Sequence, residues 1–337
     1  MIPKTMLAAT IDHYGQQALS LRQMPMPTMQ PGDVLVKIHA ASLNPIDFKT
    51  MAGDLKMLLP YTMPLIIGSD FAGEIIKVGP RVHQFQVGDK VYGRVQKNRI
   101  GTFAEYIAVD PADIAIMPKN LSYETAAAVP LVGLTAYQAL TDYMHVQKGD
   151  KLLVQAGSGG IGTFTLQLAK TLGVYTATTT SAKNVDLVRE LGANEVIDYH
   201  QTDFTQVLQN YDYVFDTLGG DNLAKAFQIL KPGGQVVSLS GLPDPEFAKD
   251  YGLNIFKRLG LYVLTTKLRR LAKQAKVRYR FLFMQPSGRQ LAAITQLIEA
   301  GKIKPVIDRV VPFENSQEAL DYAKSGRARG KIILKIT

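Results

Sequence analysis

Short apolar segments alternate with turn residues through the first 120 positions of the chain. Leu35–Ala40 follows the turn Gln30–Asp33, and Gly73–Val78 ends at Gly79-Pro80. Runs of this length, bounded by Gly, Pro and Asp, are typical of β-strands. Because the turns are regularly spaced and no long helical pattern interrupts them, this part of the chain predicts a compact, barrel-like β domain. The pattern changes at Ser122, which can cap a helix running through Ala126–Tyr143 in spite of Pro130.

From Lys151 onward, apolar strand patterns alternate with amphipathic helical patterns. The predicted strands are Lys151–Gln155, Val174–Thr179, Glu195–Asp198, Tyr213–Asp216, Gln235–Leu239 and Tyr279–Phe283. Such alternation is typical of a parallel sheet covered by helices on both faces. The predicted fold class is therefore α/β.

The first of these strands runs into a glycine-rich turn, Gly157-Ser158-Gly159-Gly160-Ile161-Gly162, which opens the next helix. The first Gly permits a tight turn, the second lets a pyrophosphate reach the backbone, and the third lets helix and strand pack closely. The helix N-terminus adds free N–H groups and the positive end of the helix dipole. Because the turn follows a strand and begins a βαβ series, we interpret it as a dinucleotide-binding site; the alternative is a purely structural turn.

The end of the second strand of this series selects the dinucleotide. An NAD site usually ends that strand with Asp or Glu, which holds the ribose hydroxyls. Here it ends in Thr180-Ser181-Ala182-Lys183, and the first acid, Asp186, lies in the next helix. Hydroxyls and a cation suit a 2′-phosphate, so we expect NADPH, with Ser181 and Lys183 among its contacts. The alternative is that Lys183 only caps or solvates the start of the helix.

Composition narrows the possible chemistry. The 337 residues suffice for two domains, and the absence of Cys excludes disulfides, thiolate catalysis and zinc sites built on thiolates. The N-terminal sequence has no signal-peptide pattern, and the longest uncharged stretches are interrupted by Pro, Gly or polar residues. We therefore expect a cytoplasmic protein without stable membrane insertion.

The net charge of +9 is concentrated in one segment. Residues 251–280 contain nine Lys or Arg and no Asp or Glu, and the rest of the chain is balanced. A basic helix can bind nucleic acid or an anionic membrane, but more often it is a solvated face. We favour the solvated face and expect no nucleic-acid partner, and the membrane surface stays open as an alternative.

Several motifs occur in order along nearly the whole chain: Asn44-Pro45-Ile46-Asp47, Gly68–Gly73, Ala126–Tyr137, Ala156–Gly162 and Gly326–Lys331. Together they resemble the medium-chain dehydrogenase/reductase superfamily, in its zinc-free quinone oxidoreductase and enone (2-alkenal) reductase branch. The resemblance implies a Rossmann-type NADPH-binding domain at 125–285, with a basic helical insertion near 244–276. It also implies a discontinuous, β-rich, GroES-like catalytic domain at 1–124 and 286–337.

The resemblance also bears on metal binding. Zinc alcohol dehydrogenases of the superfamily carry Cys where Asn44 stands and a His-Glu pair where Ser69-Asp70 stand, and they contain a Cys-rich lobe that is missing here. An amide, a hydroxyl and one carboxylate do not form a zinc site with soft or imidazole donors. We expect no metal.

Hydrogen bonds would then have to polarise the substrate. The resemblance places Asn44 beside the nicotinamide, with its NH₂ free to donate to an enolate-like oxygen; the alternative is that Asn44-Pro45 is only a turn. Lys49 and Tyr61 are candidate proton donors. The expected reaction is hydride transfer from NADPH to a quinone or an α,β-unsaturated carbonyl. The alternatives are an enoyl-thioester reductase of the same superfamily and a catalytically silent NADPH-binding sensor or scaffold.

The resemblance implies further cofactor contacts and an assembly. The contacts are Thr135, Tyr199, Leu218, Ser240, Gly241, Leu242, Phe281, Phe283 and Lys331. For the apolar members, ordinary core packing is the alternative. Relatives of this type imply a homodimer joined through the edge strand Tyr279–Phe283.

Overall fold

The computed structural model describes residues 2–337. The strands are β1 (Thr5–Ile11), β2 (Ser20–Pro25), β3 (Val34–Ser42), β4 (Leu65–Ile66), β5 (Asp70–Val78), β6 (Lys90–Arg94), β7 (Tyr106–Val109), β8 (Ile114–Ile116), β9 (Lys151–Val154), β10 (Tyr175–Thr180), β11 (Glu195–Asp198), β12 (Tyr211–Asp216), β13 (Leu230–Ser238), β14 (Arg278–Phe281), β15 (Ile307–Pro312) and β16 (Lys331–Lys335). The α-helices are α1 (Pro45–Ala52), α2 (Tyr123–Ala127), α3 (Pro130–Tyr137), α4 (Gly160–Thr171), α5 (Val185–Glu190), α6 (Gly220–Ala226), α7 (Pro245–Asp250), α8 (Ile255–Leu264), α9 (Thr266–Ala275), α10 (Gly288–Glu299) and α11 (Ser316–Lys324).

The chain divides into two compact units. Unit 1 comprises the described residues up to Leu134 together with Gln285–Thr337, and unit 2 is Thr135–Met284. Each unit has its own sheet and its own buried apolar cluster.

Unit 2 is built on a parallel sheet with the strand order β11-β10-β9-β12-β13-β14. Its core contains side chains from the central strands, among them Leu153, Val214 and Val236. The predicted α/β fold with a parallel sheet is thus confirmed. Because all strands run in one direction, their carboxyl ends meet at one edge, where open α/β sheets bind their ligands.

Unit 1 is built mainly from antiparallel strands. Its larger sheet has the order β15-β16-β3-β5-β6-β8, with β7 also paired to β3, and a second sheet has the order β2-β1-β4. Val34, Val36 and Ile38 of β3 are buried in its core. The C-terminal strand β16 pairs antiparallel with β3, so that Leu334 lies opposite Ala41. This pairing brings the last residues of the chain to the segment that follows β3.

The region after Ser122 differs from the single predicted helix. Ser122 caps α2 as expected, since its hydroxyl accepts a hydrogen bond from the N–H of Thr125 at 3.3 Å. The helix ends at Ala127, however, and α3 begins anew at Pro130 and passes into a π-helical turn at Gln138–Tyr143. A proline inside a helix removes one backbone hydrogen bond and clashes with the preceding turn, so here it starts a helix instead of continuing one.

Candidate active site

The glycine-rich turn lies where β9 passes into α4. Ala156, just after β9, has a positive φ of 52° although it is not a glycine. Gly159 is the N-cap residue of α4 and contributes no side-chain hydrogen bond to the helix. The N-terminus of this twelve-residue helix therefore keeps N–H groups that no capping side chain satisfies.

The three glycines of the motif differ in how much room the fold leaves for a side chain. A Cβ on Gly157 would lie 2.1 Å from the Thr178 hydroxyl oxygen, and one on Gly162 would lie 2.4 Å from the carbonyl oxygen of Ala156. Both positions are closed by the packing of the chain itself. A Cβ on Gly159 would meet only that same carbonyl oxygen, at 3.4 Å, which is close to an ordinary contact. The packing of the fold therefore does not forbid a side chain at Gly159, and the backbone there is accessible to a ligand.

The end of β10 carries a group of hydroxyls beside this turn. The Thr180 hydroxyl donates to the Ser158 hydroxyl oxygen at 3.0 Å, and the Asn184 side-chain amide donates to Ser158 and Ser181 at 3.0 and 3.3 Å. Asn184, which the sequence did not single out, thus ties the turn to the segment after β10. Lys183 is exposed in the same short 3₁₀ turn.

Tyr199 lies at the next strand end. Its backbone N–H donates to the carbonyl of Thr180 at 3.2 Å, and its side chain is 59% exposed. The structure therefore brings Ser181, Lys183 and Tyr199 together at the ends of β10 and β11. No Asp or Glu follows β10 before Asp186.

The remaining strand ends of unit 2 are shaped by one buried carboxylate. Asp216 accepts hydrogen bonds from the N–H groups of Leu218 and Gly219 at 3.1 and 2.8 Å and from the Ser238 hydroxyl at 2.5 Å. Burial raises the pKa of Asp216. The large apolar side chains of Leu218 and Leu242, in the segments that follow β12 and β13, are exposed and are not part of the core.

Other predicted contacts of unit 2 lie elsewhere in its packing. Ser240 is exposed and donates its hydroxyl to the carbonyl of Thr217 at 2.9 Å. A Cβ on Gly241 would lie 2.3 Å from the Tyr279 hydroxyl, so that glycine is required by packing. Thr135 is buried within α3.

Phe281 and Phe283 belong to an aromatic cluster. Both rings contact Phe247 of α7 edge-on, at centroid distances of 5.2 and 5.9 Å, and both are half-buried. The packing alternative raised by the sequence therefore accounts for much of their environment.

A second group of polar residues is buried in unit 1, around Asn44. The Asn44 amide donates to Asp70 Oδ1 at 3.0 Å and to the carbonyl of Ser42 at 3.1 Å. Its side-chain oxygen accepts a hydrogen bond from the Lys331 ammonium at 2.5 Å, and that ammonium also donates to the carbonyl of Leu43 at 2.9 Å. We call Asn44, Asp47, Ser69, Asp70 and Lys331 the buried polar cluster.

The carboxylates of the buried polar cluster join several elements. Asp70, the first residue of β5, also accepts from the Ser42 hydroxyl at 2.7 Å and from the N–H of Leu131 in α3 at 3.2 Å. Asp47 accepts from the N–H of Asn44 at 2.8 Å and from the Ser69 hydroxyl at 3.1 Å. Pro45 starts α1 between these partners, so the Asp47 carboxylate also fixes the beginning of that helix.

Burial perturbs the ionisation of the buried polar cluster. Desolvation, followed by the nearby Asp70, raises the pKa of Asp47 to about 7. Desolvation also lowers the pKa of Lys331, although Asp70 and Asp47 both oppose that shift. The Asp47 carboxyl and the Lys331 amine are therefore both buried in a site that disfavours their charged forms.

The geometry of this cluster bears on two expectations. The Asn44 amide is not free to donate, because both of its N–H groups are used by Asp70 and Ser42. Lys331 is only 5% exposed and is held by Leu43 and Asn44, and its contact with a cofactor stays a prediction. No local signal in the sequence shows that Lys331 pairs with a residue 287 positions away.

The two predicted proton donors have different surroundings. Lys49 is exposed on α1. Tyr61 is half-buried, and its hydroxyl donates to the carbonyl of Lys97 at 2.7 Å. Lys97 was not among the predicted site residues. It is buried, and its pKa is lowered to about 7 by desolvation and by the nearby Arg94. An amine with that pKa can hold or release a proton near neutral pH.

The structure also bears on metal binding and on membrane insertion. Within residues 2–337, no group of three or more His, Cys, Asp or Glu side chains is placed to hold a metal ion. Over the same residues, every helix is too short or too polar to cross a bilayer.

Comparison with known proteins places the chain in a family. Residues 30–119 match the family described as "Alcohol dehydrogenase GroES-like domain", and residues 191–334 match the family described as "Zinc-binding dehydrogenase". The chain is 33% identical to the 2-methylene-furan-3-one reductase of Solanum lycopersicum, with 99% of this chain and 80% of that protein covered. It is also 33% identical to the chloroplastic NADPH-dependent alkenal/one oxidoreductase of Arabidopsis thaliana, with the same coverage.

A solved structure agrees over the full length. The quinone oxidoreductase from Coxiella burnetii superposes with a TM-score of 0.86 at 32% identity and covers 99% of this chain and 100% of that one. With the parallel sheet, the glycine-rich turn and these relatives in place, the chain is a member of the medium-chain dehydrogenase/reductase superfamily, an oxidoreductase of its quinone oxidoreductase and alkenal/one reductase branch.

Proposed function

We propose that this oxidoreductase transfers a hydride from NADPH to quinones or α,β-unsaturated carbonyls. The proposal rests on Gly159, the N-cap residue of α4. The packing of the fold leaves room for a side chain at this position, and the residue is nevertheless a glycine. The names of the relatives supply the substrate class, since those proteins are a furanone reductase, an alkenal/one oxidoreductase and a quinone oxidoreductase.

The residues of the turn fit a dinucleotide. The N–H groups at the start of α4 suit a pyrophosphate, which would lie against Gly157, Ser158, Gly159, Gly160, Ile161 and Gly162. Ser181, Lys183 and the exposed Tyr199 offer two hydroxyls and a cation for a 2′-phosphate, and a carboxylate that would repel it is missing after β10. These contacts support NADPH over NADH. When bound, the nicotinamide supplies the hydride.

In this proposal the buried polar cluster fixes the orientation of the Asn44 side chain. Because Asn44 is held on both ends of its side chain, by Lys331 on the oxygen and by Asp70 on the nitrogen, it keeps one orientation. A fixed dipole costs no reorganisation during the reaction. The Tyr61 hydroxyl and the Lys97 amine are the proton donors that this proposal favours for completing the reduction; Lys49, which is exposed, stays a prediction.

One experiment tests the proposal as a whole. The oxidation of NADPH is followed with a quinone, a short enal, an enoyl thioester or no added substrate. We expect turnover with the quinone or the enal, and a higher KM for NADH than for NADPH. Turnover with the thioester alone would favour the enoyl-thioester alternative, and tight NADPH binding without any turnover would favour the silent sensor.

Variants separate the roles of the residues. Gly159→Ala should weaken NADPH binding while the melting temperature stays the same, because its Cβ meets only one atom at an ordinary distance. Lys183→Ala should raise the KM for NADPH and leave that for NADH unchanged. Asn44→Ala should lower kcat more than it weakens NADPH binding, and an unchanged kcat would remove Asn44 from the reaction.

The assembly and location are part of the proposal. In the described residues, β14 is an edge strand that pairs only with β13, so its outer side can extend the sheet into a second copy. We expect a homodimer, which light scattering after size-exclusion chromatography checks. We also keep the cytoplasm as its location, which fractionation of the source cells checks.

A further inference from the structure

Helix α8 exposes an unusual amount of apolar surface. Its side chains Ile255, Phe256, Leu259, Tyr262 and Val263 are between 51% and 82% exposed, and none of its residues is buried. Their spacing of i, i+1, i+4, i+7 and i+8 places them on one side of the helix. A contiguous apolar stripe of this kind on a folded protein marks a surface that binds something.

Helix α9 presents the opposite arrangement next to it. Leu268, Leu271 and Ala272 face the core of unit 2 and hold the helix in place. Lys267 and Arg270, on the other side, are exposed. The helix is therefore anchored by one face and offers a basic face to its surroundings.

One contact joins the two surfaces. The Arg269 guanidinium of α9 stacks on the Tyr262 ring of α8 at 3.6 Å and donates to the carbonyl of Tyr262 at 2.9 Å. Tyr262 belongs to the apolar stripe, and Arg269 belongs to the basic segment. The apolar stripe of α8 and the basic residues of α9 thus adjoin, and we call them together the α8–α9 surface.

We propose that the α8–α9 surface binds the face of an anionic lipid bilayer. A bilayer surface satisfies both halves of it, since the apolar side chains enter the boundary between headgroups and acyl chains while Lys and Arg bind acidic headgroups. The surface carries charge of one sign, because α8 and α9 contain six basic side chains and no acidic one: Lys257, Arg258, Lys267, Arg269, Arg270 and Lys273. This binding is peripheral and reversible, and it does not depend on the reduction proposed above.

Two other partners fit the surface less well. Nucleic acid would attract the basic residues but would leave the five apolar side chains in water. A second copy packed stripe against stripe would bring the basic residues of two α9 helices close together, which is repulsive; the homodimer proposed above uses β14 instead. An anionic bilayer is the partner that binds both the apolar stripe and the basic residues.

A single tryptophan tests the proposal directly. The chain contains no Trp, so Phe256→Trp places one fluorophore on the 82% exposed position of the stripe. Vesicles of phosphatidylcholine with one third phosphatidylserine should shift its emission to shorter wavelength at low salt. The shift should be lost with pure phosphatidylcholine, and also at about 1 M salt, where the Debye length is about 3 Å. Val87→Trp, on an exposed turn of unit 1, should show no shift with the same vesicles.

Charge and apolar variants separate the two halves of the surface. Each basic residue near such a membrane changes the partition coefficient roughly fivefold, so Lys267→Glu with Arg270→Glu should lower vesicle binding by more than about tenfold. Arg81→Glu with Lys302→Glu, two exposed residues of unit 1, makes the same charge change and should have a much smaller effect. Phe256→Asp should also reduce co-sedimentation with vesicles. Circular dichroism checks that each variant is folded.

Several results would overturn the proposal. One is the absence of any emission shift with anionic vesicles at low salt, and another is an equal shift for Val87→Trp. A blue shift of the Phe256→Trp emission that grows with protein concentration alone would show that a second copy covers the stripe. Binding to a DNA duplex that Phe256→Asp leaves intact, with no binding to vesicles, would assign the basic face to nucleic acid.

Discussion

The raised pKa of Asp47 predicts an unusual dependence of stability on pH. The folded-state pKa is about 7 and the ordinary value is 3.8. Between these two values the folded chain binds a proton that the unfolded chain has released, so the free energy of unfolding falls as the pH rises from about 4 to about 7. At about 1.4 kcal/mol for each tenfold change in an ionisation constant, the total loss is about 4 kcal/mol. Asp47 is 2% exposed, so solvent does not screen this effect.

The Asp47→Asn variant removes this dependence, because an amide does not titrate. We expect its free energy of unfolding, relative to that of the wild type, to rise by up to about 4 kcal/mol between pH 4 and pH 8. Denaturant titrations followed by circular dichroism at a series of pH values measure the difference, and pH effects common to both proteins cancel. Asp54→Asn, which removes a charge from an exposed position of unit 1, is the control. A difference that stays constant with pH, or that falls, would refute a protonated Asp47 in the folded state.

Three further substitutions test buried contacts in both units. Lys331→Met should lower the free energy of unfolding, measured by denaturant titration, by about 3 to 5 kcal/mol, since it leaves the buried oxygens of Leu43 and Asn44 without their donor. The control is Lys335→Met, at the exposed end of the same strand, which should lower the free energy of unfolding by less than about 1 kcal/mol. Gly162→Ala should lower the melting temperature, in contrast to Gly159→Ala, because its Cβ would lie 2.4 Å from a backbone oxygen; equal melting temperatures would contradict this. Tyr92→Phe should destabilise the chain by about 1 to 2 kcal/mol in thermal melts, since the buried hydroxyl donates to the carbonyl of Leu291 and lies 2.9 Å from the Thr295 hydroxyl.

The sequence was most informative where the chemistry is local. The glycine-rich turn, the helix that follows it and the strands of unit 2 depend on neighbouring residues and on a regular hydrophobic period, so they could be read directly. The division at Pro130 was misjudged for the opposite reason. Whether a proline kinks a helix or starts a new one depends on what packs around it, and that packing comes from distant segments.

The buried polar cluster could not be read from the sequence. Its members come from positions 44, 47, 69, 70 and 331, and no periodicity links them. Asn44 was identified through a family motif, but its orientation was not, because the partner that holds its oxygen lies on the last strand. Lys97 was missed since a Lys in a turn is normally solvated, and only the structure shows that this one is buried.

The same cluster explains why the C-terminal strand matters for a site at the other end of the chain. Without β16 paired to β3, Lys331 could not reach Asn44, and Asp70 and Asp47 would share a dry site without a cation. Two carboxyls in such a site favour protonation of one of them, and the raised pKa of Asp47 shows that a single buried amine offsets that tendency only in part. Protonation of Asp47 removes its attraction for Lys331, and Asp70 is then the carboxyl paired with that amine. The Asn44 amide lies between that pair, with its nitrogen on Asp70 and its oxygen on Lys331. The Asp47 carboxyl, in contrast, is bonded to the backbone of Asn44 and not to its side chain, so it fixes the start of α1 while Lys331 and Asp70 fix the amide.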